Sequence, residues 1–172
     1  YIDFVDDNFV PKISLDTKNV IRMRTFSKAY GMAGLRVGYA IGEKDLILNF
    51  EKIRNHFGMS RISQVGALAA LEDYDFISEV INKVKLSRNR IADIANNNSC
   101  KFIPSFTNFV AIDCLKDSKF AKKVLENLIN NGVFVRMPYS YPQNRCIRVT
   151  VGLDKDIDLF EKYFPIALKN AN

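Results

Sequence analysis

The sequence predicts an α/β fold. Short segments of alternating apolar and polar residues, typical of strands, are interspersed with longer segments whose apolar residues recur at helical spacing. Glycine, proline and asparagine separate these segments, as expected for turns. Of the 172 residues, 48% are hydrophobic and 26% are charged, so the chain can bury a core. One large domain or two small ones would fit this length.

The first half contains two predicted strands and two predicted helices. The strands cover residues 20–26 and 37–41 and flank a glycine-rich segment. A helix is predicted over residues 43–57, where apolar residues recur at helical spacing before Gly58. Ser63 is the expected N-cap of a short helix that extends through Leu71.

A long helix is predicted over residues 75–95, with an apolar stripe that indicates one buried face. Because strands occur on both sides of it, this helix is a natural connection between domains. The elements predicted after it are strands at residues 108–114, 133–136 and 146–151 and helices at residues 117–131 and 154–164, the last before Pro165. Short strands and helices in alternation indicate a small α/β or α+β unit.

The formal net charge of +6 does not by itself indicate nucleic-acid binding. The basic residues are scattered among acidic ones. The densest basic group lies on a predicted helix with a partly solvated face and consists of Lys83, Lys85, Arg88 and Arg90. We therefore predict no nucleic-acid partner. A basic binding module, which steep salt dependence would identify, is kept as an alternative.

Membrane, metal and disulfide signals are weak in this sequence. No apolar segment approaches the roughly 20 residues needed to cross a bilayer, and the first residues do not resemble a signal peptide, so we predict a cytoplasmic protein without a membrane partner. The three cysteines are odd in number and widely spaced, and they are interpreted as buried or incidental thiols. His56 is the only histidine, which argues against catalytic triads and multi-histidine metal sites. No metal is predicted.

Residues 25–39 offer the clearest chemistry. Lys28 follows a predicted strand and precedes a glycine-rich turn, where its amine can meet a carbonyl ligand without a bulky neighbour. Thr25 and Ser27 place hydroxyls beside it, and Arg36 offers a charged fork for a phosphate if the glycines let the chain fold back. From the residues alone, the glycines could equally make ordinary turns that leave Lys28 and Arg36 in water. The segment lacks the glycine spacing of a dinucleotide-binding or Walker A loop.

The run Ser-Lys-x-x-Gly-x-x-Gly-x-Arg-x-Gly-Tyr, from Ser27 to Tyr39, resembles the cofactor-lysine signature of fold-type I pyridoxal-phosphate (PLP) aminotransferases. It is most similar to the histidinol-phosphate aminotransferase group. The resemblance implies that PLP is the cofactor and that Lys28 is the catalytic residue, which bonds covalently to PLP and later moves a proton between the substrate Cα and the cofactor C4′. It also implies that Thr25, Ser27 and Arg36 hold the cofactor phosphate.

Tyr1 resembles the end of an Asp-x-x-Tyr element that this family places shortly before the lysine strand. By that resemblance Tyr1 contacts the phenolic O3′ of PLP, and the aspartate that pairs with the pyridine nitrogen would precede Tyr1. PLP accepts electrons because a carboxylate holds its ring nitrogen protonated. We therefore expect the chain to carry only part of a site and to be catalytically silent by itself.

Three residues in the second half resemble positions near the family's substrate. Arg148, in an apolar strand, corresponds to the arginine that binds the substrate α-carboxylate, and strand alternation turns it away from Ile147 and Val149. A structural ion pair is the alternative, because an arginine in such a strand is costly unless it is paired. Asn108 matches a position near the substrate or simply begins a strand, and Arg136 is a further candidate.

The resemblance extends along most of the chain and implies a domain assignment and a reaction. Residues 1–88 would be the later part of the PLP-binding large domain with the connecting helix, and residues 89–172 the small C-terminal α/β (α+β) domain. The implied activity is amino transfer between histidinol phosphate and 2-oxoglutarate in histidine biosynthesis, by a homodimer that acts on small-molecule amino acids and 2-oxo acids. The alternatives are an aromatic aminotransferase, a decarboxylase resembling threonine-phosphate decarboxylase, and the aminotransferase-like effector domain of a transcription regulator.

Overall fold

The computed structural model describes the backbone of residues 1–172 and every side chain except that of Asp7. The chain mixes helices and strands, which confirms the predicted α/β class. It divides into two compact units, Tyr1–Ile81 and Asn82–Asn172. The division lies inside one long helix, as does the boundary expected from the sequence at residues 88 and 89. No helix of the described residues is both long and apolar enough to cross a membrane.

The first unit contains a two-stranded antiparallel sheet. Its elements are the strands β1 (Ile21–Thr25) and β2 (Gly38–Gly42) and the helices α1 (Lys44–Phe50) and α2 (Arg61–Glu72). The register of the sheet puts Thr25 opposite Gly38. A small core joins Phe26 and Val37, at the two ends of the loop between the strands, to Ala67 of α2. The strand pair and α2 therefore hold the lysine-bearing loop between them.

Two predictions for this unit are wrong in detail. The helix predicted over residues 43–57 ends at Phe50, because the apolar residues in its second half find no core: Ile53 is 82% exposed and Phe57 is 94% exposed. Short helices depend on the packing of an apolar face for most of their stability. The N-cap of α2 is Ser60 rather than Ser63, since the Ser60 hydroxyl oxygen accepts a hydrogen bond from the Ser63 N–H at 3.1 Å.

The second unit packs helices on a three-stranded antiparallel sheet of order β3-β4-β5. Its elements are the second half of α3 (Tyr74–Asn97), the strands β3 (Lys101–Ile103), β4 (Phe109–Asp113) and β5 (Cys146–Thr150), and the helices α4 (Ser118–Asn130) and α5 (Asp154–Ala171). Strand β3 was not predicted. Fully buried residues from five of these elements form the core and include Ile91, Ile112, Leu128, Ile147 and Phe164.

Helix α4 begins and ends close to the predicted residues. The Asp117 carboxylate accepts a hydrogen bond from the Phe120 N–H at 2.9 Å and so caps the start of the helix. Gly132 follows the end with a φ of 79°, a conformation that favours glycine. The strand predicted over residues 133–136 is reduced to one bridge between Arg136 and Arg148. The chain leaves the ladder before Pro138, which has no N–H to donate.

Helix α5 continues past Pro165, where the prediction ended it. Residues on both sides of the proline are buried on one face of the helix, as Phe160, Phe164 and Ala167 show. Pro165 is exposed, and so is Glu161, whose backbone carbonyl loses its usual N–H partner and can be hydrated. Packing of the second half of the helix therefore outweighs the missing hydrogen bond.

Candidate functional site

A closed loop between β1 and β2 carries Lys28. The ends of the loop are tied by a hydrogen bond from the Phe26 N–H to the Val37 carbonyl oxygen at 3.3 Å. Inside it, the Met32 N–H donates to Phe26 O and the Gly31 N–H donates to Lys28 O, both at 2.9 Å. Gly31 has a φ of +67°, which glycine adopts without strain. These bonds fix the backbone position of Lys28.

Neighbours of Lys28 anchor the loop in the core of the first unit. Phe26 and Ala29 are each 2% exposed. The Phe26 ring centre lies 4.9 Å from that of Tyr30 and 5.7 Å from that of Tyr39. Lys28, between these anchors, is exposed. The lysine amine is therefore accessible to a ligand although the backbone that carries it is held.

Helix α2 supports the other half of the loop. Ser63, which is 4% exposed, donates its hydroxyl hydrogen to Leu35 O at 2.7 Å. Gly66 allows the loop to approach the helix, because a Cβ there would lie 3.2 Å from Met32 and 3.3 Å from Leu35. The residue predicted as a helix cap therefore binds the loop instead.

Gly38, at the start of β2, provides a test of this geometry. An added Cβ would lie 2.6 Å from the Arg24 carbonyl oxygen on the paired strand, which is too close without a backbone shift. We expect Gly38→Ala to lower the free energy of unfolding by about 1–3 kcal/mol in a denaturant titration. Gly34→Ala is the matched control, because a Cβ there meets nothing within 4 Å. Equal stabilities of the two variants would contradict the close approach.

Four of the predicted cofactor residues lie near the start of the loop. The Lys28 Nζ lies 5.3 Å from the centre of the Tyr1 ring, within the range of a cation–π contact. The Ser27 N–H donates to Thr25 Oγ1 at 3.1 Å. The structure thus pairs Tyr1 with Lys28 and Thr25 with Ser27.

Arg36 turns back onto its own segment. It has a φ of +50°, and its Nη1 donates to Ala33 O at 2.7 Å. It makes no hydrogen bond with Thr25, Ser27 or Lys28 among the described side chains. A guanidinium carries five N–H donors, so others are left for an anion. A left-handed conformation at a non-glycine residue is strained, and such strain is often retained at functional sites.

Tyr30 was not predicted from the sequence. Burial raises the pKa of the Tyr30 phenol above its ordinary value, and the nearby Asp3 carboxylate raises it further. The phenol therefore stays a neutral hydrogen-bond donor well above neutral pH. The signal in the sequence that could have identified Tyr30 is its position two residues after Lys28.

Arg148 occupies the middle of β5. Its neighbours Ile147 and Val149 are 0% and 5% exposed, so Arg148 projects from the opposite face of the sheet, as predicted. The guanidinium carbon lies 4.8 Å from the centre of the Phe109 ring. Its Nε is buried and has no hydrogen-bond partner among the described residues. A buried donor without a partner costs stability, which is explained if the group serves a ligand.

A cavity of about 890 Å³ in the second unit is lined by four basic side chains. Arg136 and Arg148 line it, and their backbones exchange N–H···O bonds of 3.0 and 2.6 Å. Lys119 and Lys122 of α4 also line it, while none of its described lining residues is acidic. Lys122 lies 3.8 Å from Glu126, which offsets part of its charge. The cavity therefore favours an anion. The two lysines were not predicted, although their spacing of three puts them on one helix face.

Asn108 precedes β4 and does not line this cavity. Its carbonyl oxygen accepts a hydrogen bond from the Val151 N–H at 2.9 Å. The adjacent Thr107 O accepts one from Arg88 Nη1 at 3.0 Å. The backbone of Asn108 is therefore that of a residue at the start of a strand. Its role near the substrate stays a prediction.

Each unit therefore offers one kind of chemistry. In the first unit, an accessible primary amine, two hydroxyls and a guanidinium suit a ligand that carries a carbonyl group and a phosphate. In the second unit, the cluster of cations suits a carboxylate or a phosphate. Within the part of the chain that the structure describes, no group of three or more histidine, cysteine, aspartate or glutamate side chains could hold a metal ion.

Curated proteins with similar sequences include histidinol-phosphate aminotransferases. The chain is 37% identical over 155 residues to that of Aliarcobacter butzleri and 42% identical over 134 residues to that of Bacillus velezensis. The alignments cover 88% and 78% of this chain, but 42% and 36% of the respective relatives. The chain thus spans less than half the length of these relatives.

A solved structure and a family model agree with these relatives. The crystal structure of histidinol-phosphate aminotransferase from Sinorhizobium meliloti, in complex with pyridoxal-5′-phosphate, matches with a TM-score of 0.94 and 43% sequence identity. The match covers 99% of this chain and 47% of that one. The family model for aminotransferase class I and II matches residues 1–159. This chain therefore belongs to the aminotransferase class I and II family.

Proposed function

We propose that the chain is part of a PLP-dependent aminotransferase of histidine biosynthesis, which transfers an amino group between histidinol phosphate and 2-oxoglutarate. The observation that carries the proposal is the accessible amine of Lys28 on a fixed loop. Family membership supports amino transfer. The names of the relatives support histidinol phosphate as the substrate.

The first unit supplies the groups that hold the cofactor. Lys28 would hold the cofactor covalently through its aldehyde carbon, with loss of water, because an accessible amine on a held backbone is a suitable nucleophile. The hydroxyls of Thr25 and Ser27 and the free N–H groups of Arg36 bind its phosphate by charge-assisted hydrogen bonds. Tyr1, whose ring lies beside the lysine amine, would contact the cofactor's phenolic oxygen. When bound, PLP supplies an electron-withdrawing ring that makes the substrate Cα proton acidic.

The same lysine also serves the proton transfer. With PLP bound, the Lys28 amine would act as the general base that removes the substrate Cα proton and as the acid that gives it back. Arg148 binds the carboxylate of glutamate or 2-oxoglutarate, supported by its unpartnered Nε and its place in a cationic cavity. Arg136 and Asn108 are assigned to the substrate side as well.

The two units fit the two domains expected of the family. We assign Tyr1–Ile81 to the later part of the cofactor-binding large domain and Asn82–Asn172 to the small C-terminal domain. This moves the boundary predicted at residues 88 and 89 to an earlier turn of α3. A cytoplasmic homodimer without nucleic-acid or membrane partners stays a prediction.

The proposed reaction is tested by substrate comparison on the full-length protein. With 2-oxoglutarate as acceptor, we expect kcat/KM for histidinol phosphate to exceed that for phenylalanine and tyrosine by more than about tenfold. The side chains of phenylalanine and tyrosine carry no charge, so a site that binds the phosphate of histidinol phosphate would be left without its anion. Glutamate formation is the measurement. Carbon dioxide release from threonine phosphate, without amino transfer, would instead identify a decarboxylase, and equal rates with phenylalanine an aromatic aminotransferase.

A further inference from the structure

Two cysteines of the second unit lie opposite each other on neighbouring strands. Strands β3 and β4 pair with Lys101 opposite Asp113. Extending this antiparallel register by one residue puts Cys100 opposite Cys114. Both cysteines are free thiols in the core, 7% and 5% exposed. The sequence indicated buried or incidental thiols, and both are buried. Their pairing was not predicted, because the strand register that joins them is not visible in their spacing.

The backbone hydrogen bonds show which kind of cross-strand pair Cys100 and Cys114 form. The Cys114 N–H donates to Arg145 O at 3.3 Å, and the Cys100 N–H donates to Ala95 O at 3.0 Å. Neither amide is therefore bonded to the other strand. In an antiparallel sheet such a non-hydrogen-bonded pair has Cα atoms about 4.5 Å apart and adjacent side chains. This separation lies within the range of roughly 4.4–6.8 Å found for disulfide-bonded cysteines.

The two thiols also interact directly. A hydrogen bond from the Cys114 thiol to the Cys100 sulfur lowers the pKa of Cys100, although burial opposes this. The same bond raises the pKa of Cys114, and burial adds to the rise. The thiolate is the form of cysteine that reacts with peroxides. Of the two, Cys100 is therefore the initial nucleophile.

We propose that Cys100 and Cys114 are a modification site, which forms an intramolecular disulfide when the protein meets hydrogen peroxide. The Cys100 thiolate attacks one peroxide oxygen and becomes a sulfenic acid, and the hydroxide that leaves takes up a proton to form water. The Cys114 thiol then attacks the Cys100 sulfur, losing its proton as a second water leaves. The thiols lose two electrons, which the peroxide gains. The product ties β3 to β4.

Cys146 is a control thiol within the same unit. It is 3% exposed and so is buried to the same degree as the pair. It lies opposite Asp113 in the register of β4 and β5. Since alternate residues of a strand face opposite sides, Cys146 and Cys114 lie on different faces of the sheet. We expect Cys146 to remain a thiol.

A peptide map of the peroxide-treated, alkylated full-length protein tests the proposal. Trypsin puts the three cysteines on different peptides, namely residues 91–101, 102–116 and 146–148. Without reduction, we expect the first two peptides to appear as one species, lighter by two hydrogen atoms than their sum, and the third to appear alkylated. The melting temperature should rise by several degrees and return on treatment with dithiothreitol, because the cross-link restricts the unfolded chain.

Two variants sharpen this test. The linked species should persist in Cys146→Ser and disappear in Cys114→Ser. If Cys114→Ser does not fold, the wild-type map decides by itself. Alkylated Cys100 and Cys114 after peroxide, a sulfinic acid at Cys100 without a link, or a link to Cys146 would each overturn the proposal. A lower melting temperature of the linked protein would show that a disulfide does not fit the native register.

Discussion

Replacement of Lys28 by alanine in the full-length protein should abolish covalent attachment of PLP. Loss of one acid–base group alone costs about 10²–10⁴-fold in rate, and this variant also loses the nucleophile that is proposed to hold the cofactor. Lys28→Arg should fail as well, since it keeps the charge but not the primary amine. Visible absorbance, and the mass of the protein after borohydride reduction, report the attachment. Glutamate formation reports the rate.

The melting temperature of Lys28→Ala distinguishes a loss of chemistry from a loss of folded structure. Lys28 is exposed, and the loop is anchored by its neighbours rather than by its side chain. The melting temperature of Lys28→Ala should therefore stay close to that of the wild type. Lys44→Ala, at an exposed lysine that begins α1, is the matched control and should keep both cofactor and activity. A borohydride-reducible adduct in Lys28→Ala would refute the assignment.

The second large effect is expected at Arg148. Two charged hydrogen bonds to a carboxylate contribute about 3–6 kcal/mol, so Arg148→Ala should slow the half-reaction with glutamate by at least about a hundredfold. Arg148→Lys should recover only part of this loss, because it keeps the charge without the planar fork. Single-turnover kinetics with glutamate measure the change. Stability should fall little, since the Nε of Arg148 has no protein partner to lose.

The half-reaction with histidinol phosphate is the informative comparison for Arg148. Histidinol phosphate has no α-carboxylate, so a role confined to that group predicts a larger loss with glutamate. Equal losses would extend the role of Arg148 to the phosphate ester, which the shared cationic cavity could also bind. An unaffected glutamate reaction would remove Arg148 from the substrate site.

The sequence predicted the lysine loop well because its hydrogen bonds are local. The Gly31 N–H bonds to Lys28 and the Met32 N–H to Phe26, and the bond between Phe26 and Val37 that ties the loop ends joins residues eleven positions apart. The apolar alternation around Arg148 was equally informative, since strand alternation depends only on nearest neighbours. The side-chain direction of Arg36 was harder to predict, because it rests on one bond to Ala33 within a strained turn.

Errors arose where packing decided between two local possibilities. The apolar spacing before Gly58 predicts a helix as strongly as that of α5, yet only α5 has a core to cover. The same core carries α5 past Pro165, against the local preference of proline. In both segments, burial rather than propensity determines where the helix ends.

By itself the sequence determined the family and predicted the loop that carries Lys28, because these depend on residues close together along the chain. Only the tertiary structure decided which distant residues meet. The register of β3 and β4 brings Cys100 to Cys114, and the packing of α4 beside β5 puts Lys119 in one cavity with Arg148. The physical reason is that strand register and helix packing are set by burial of shared apolar surface, to which segments far apart in the chain contribute together.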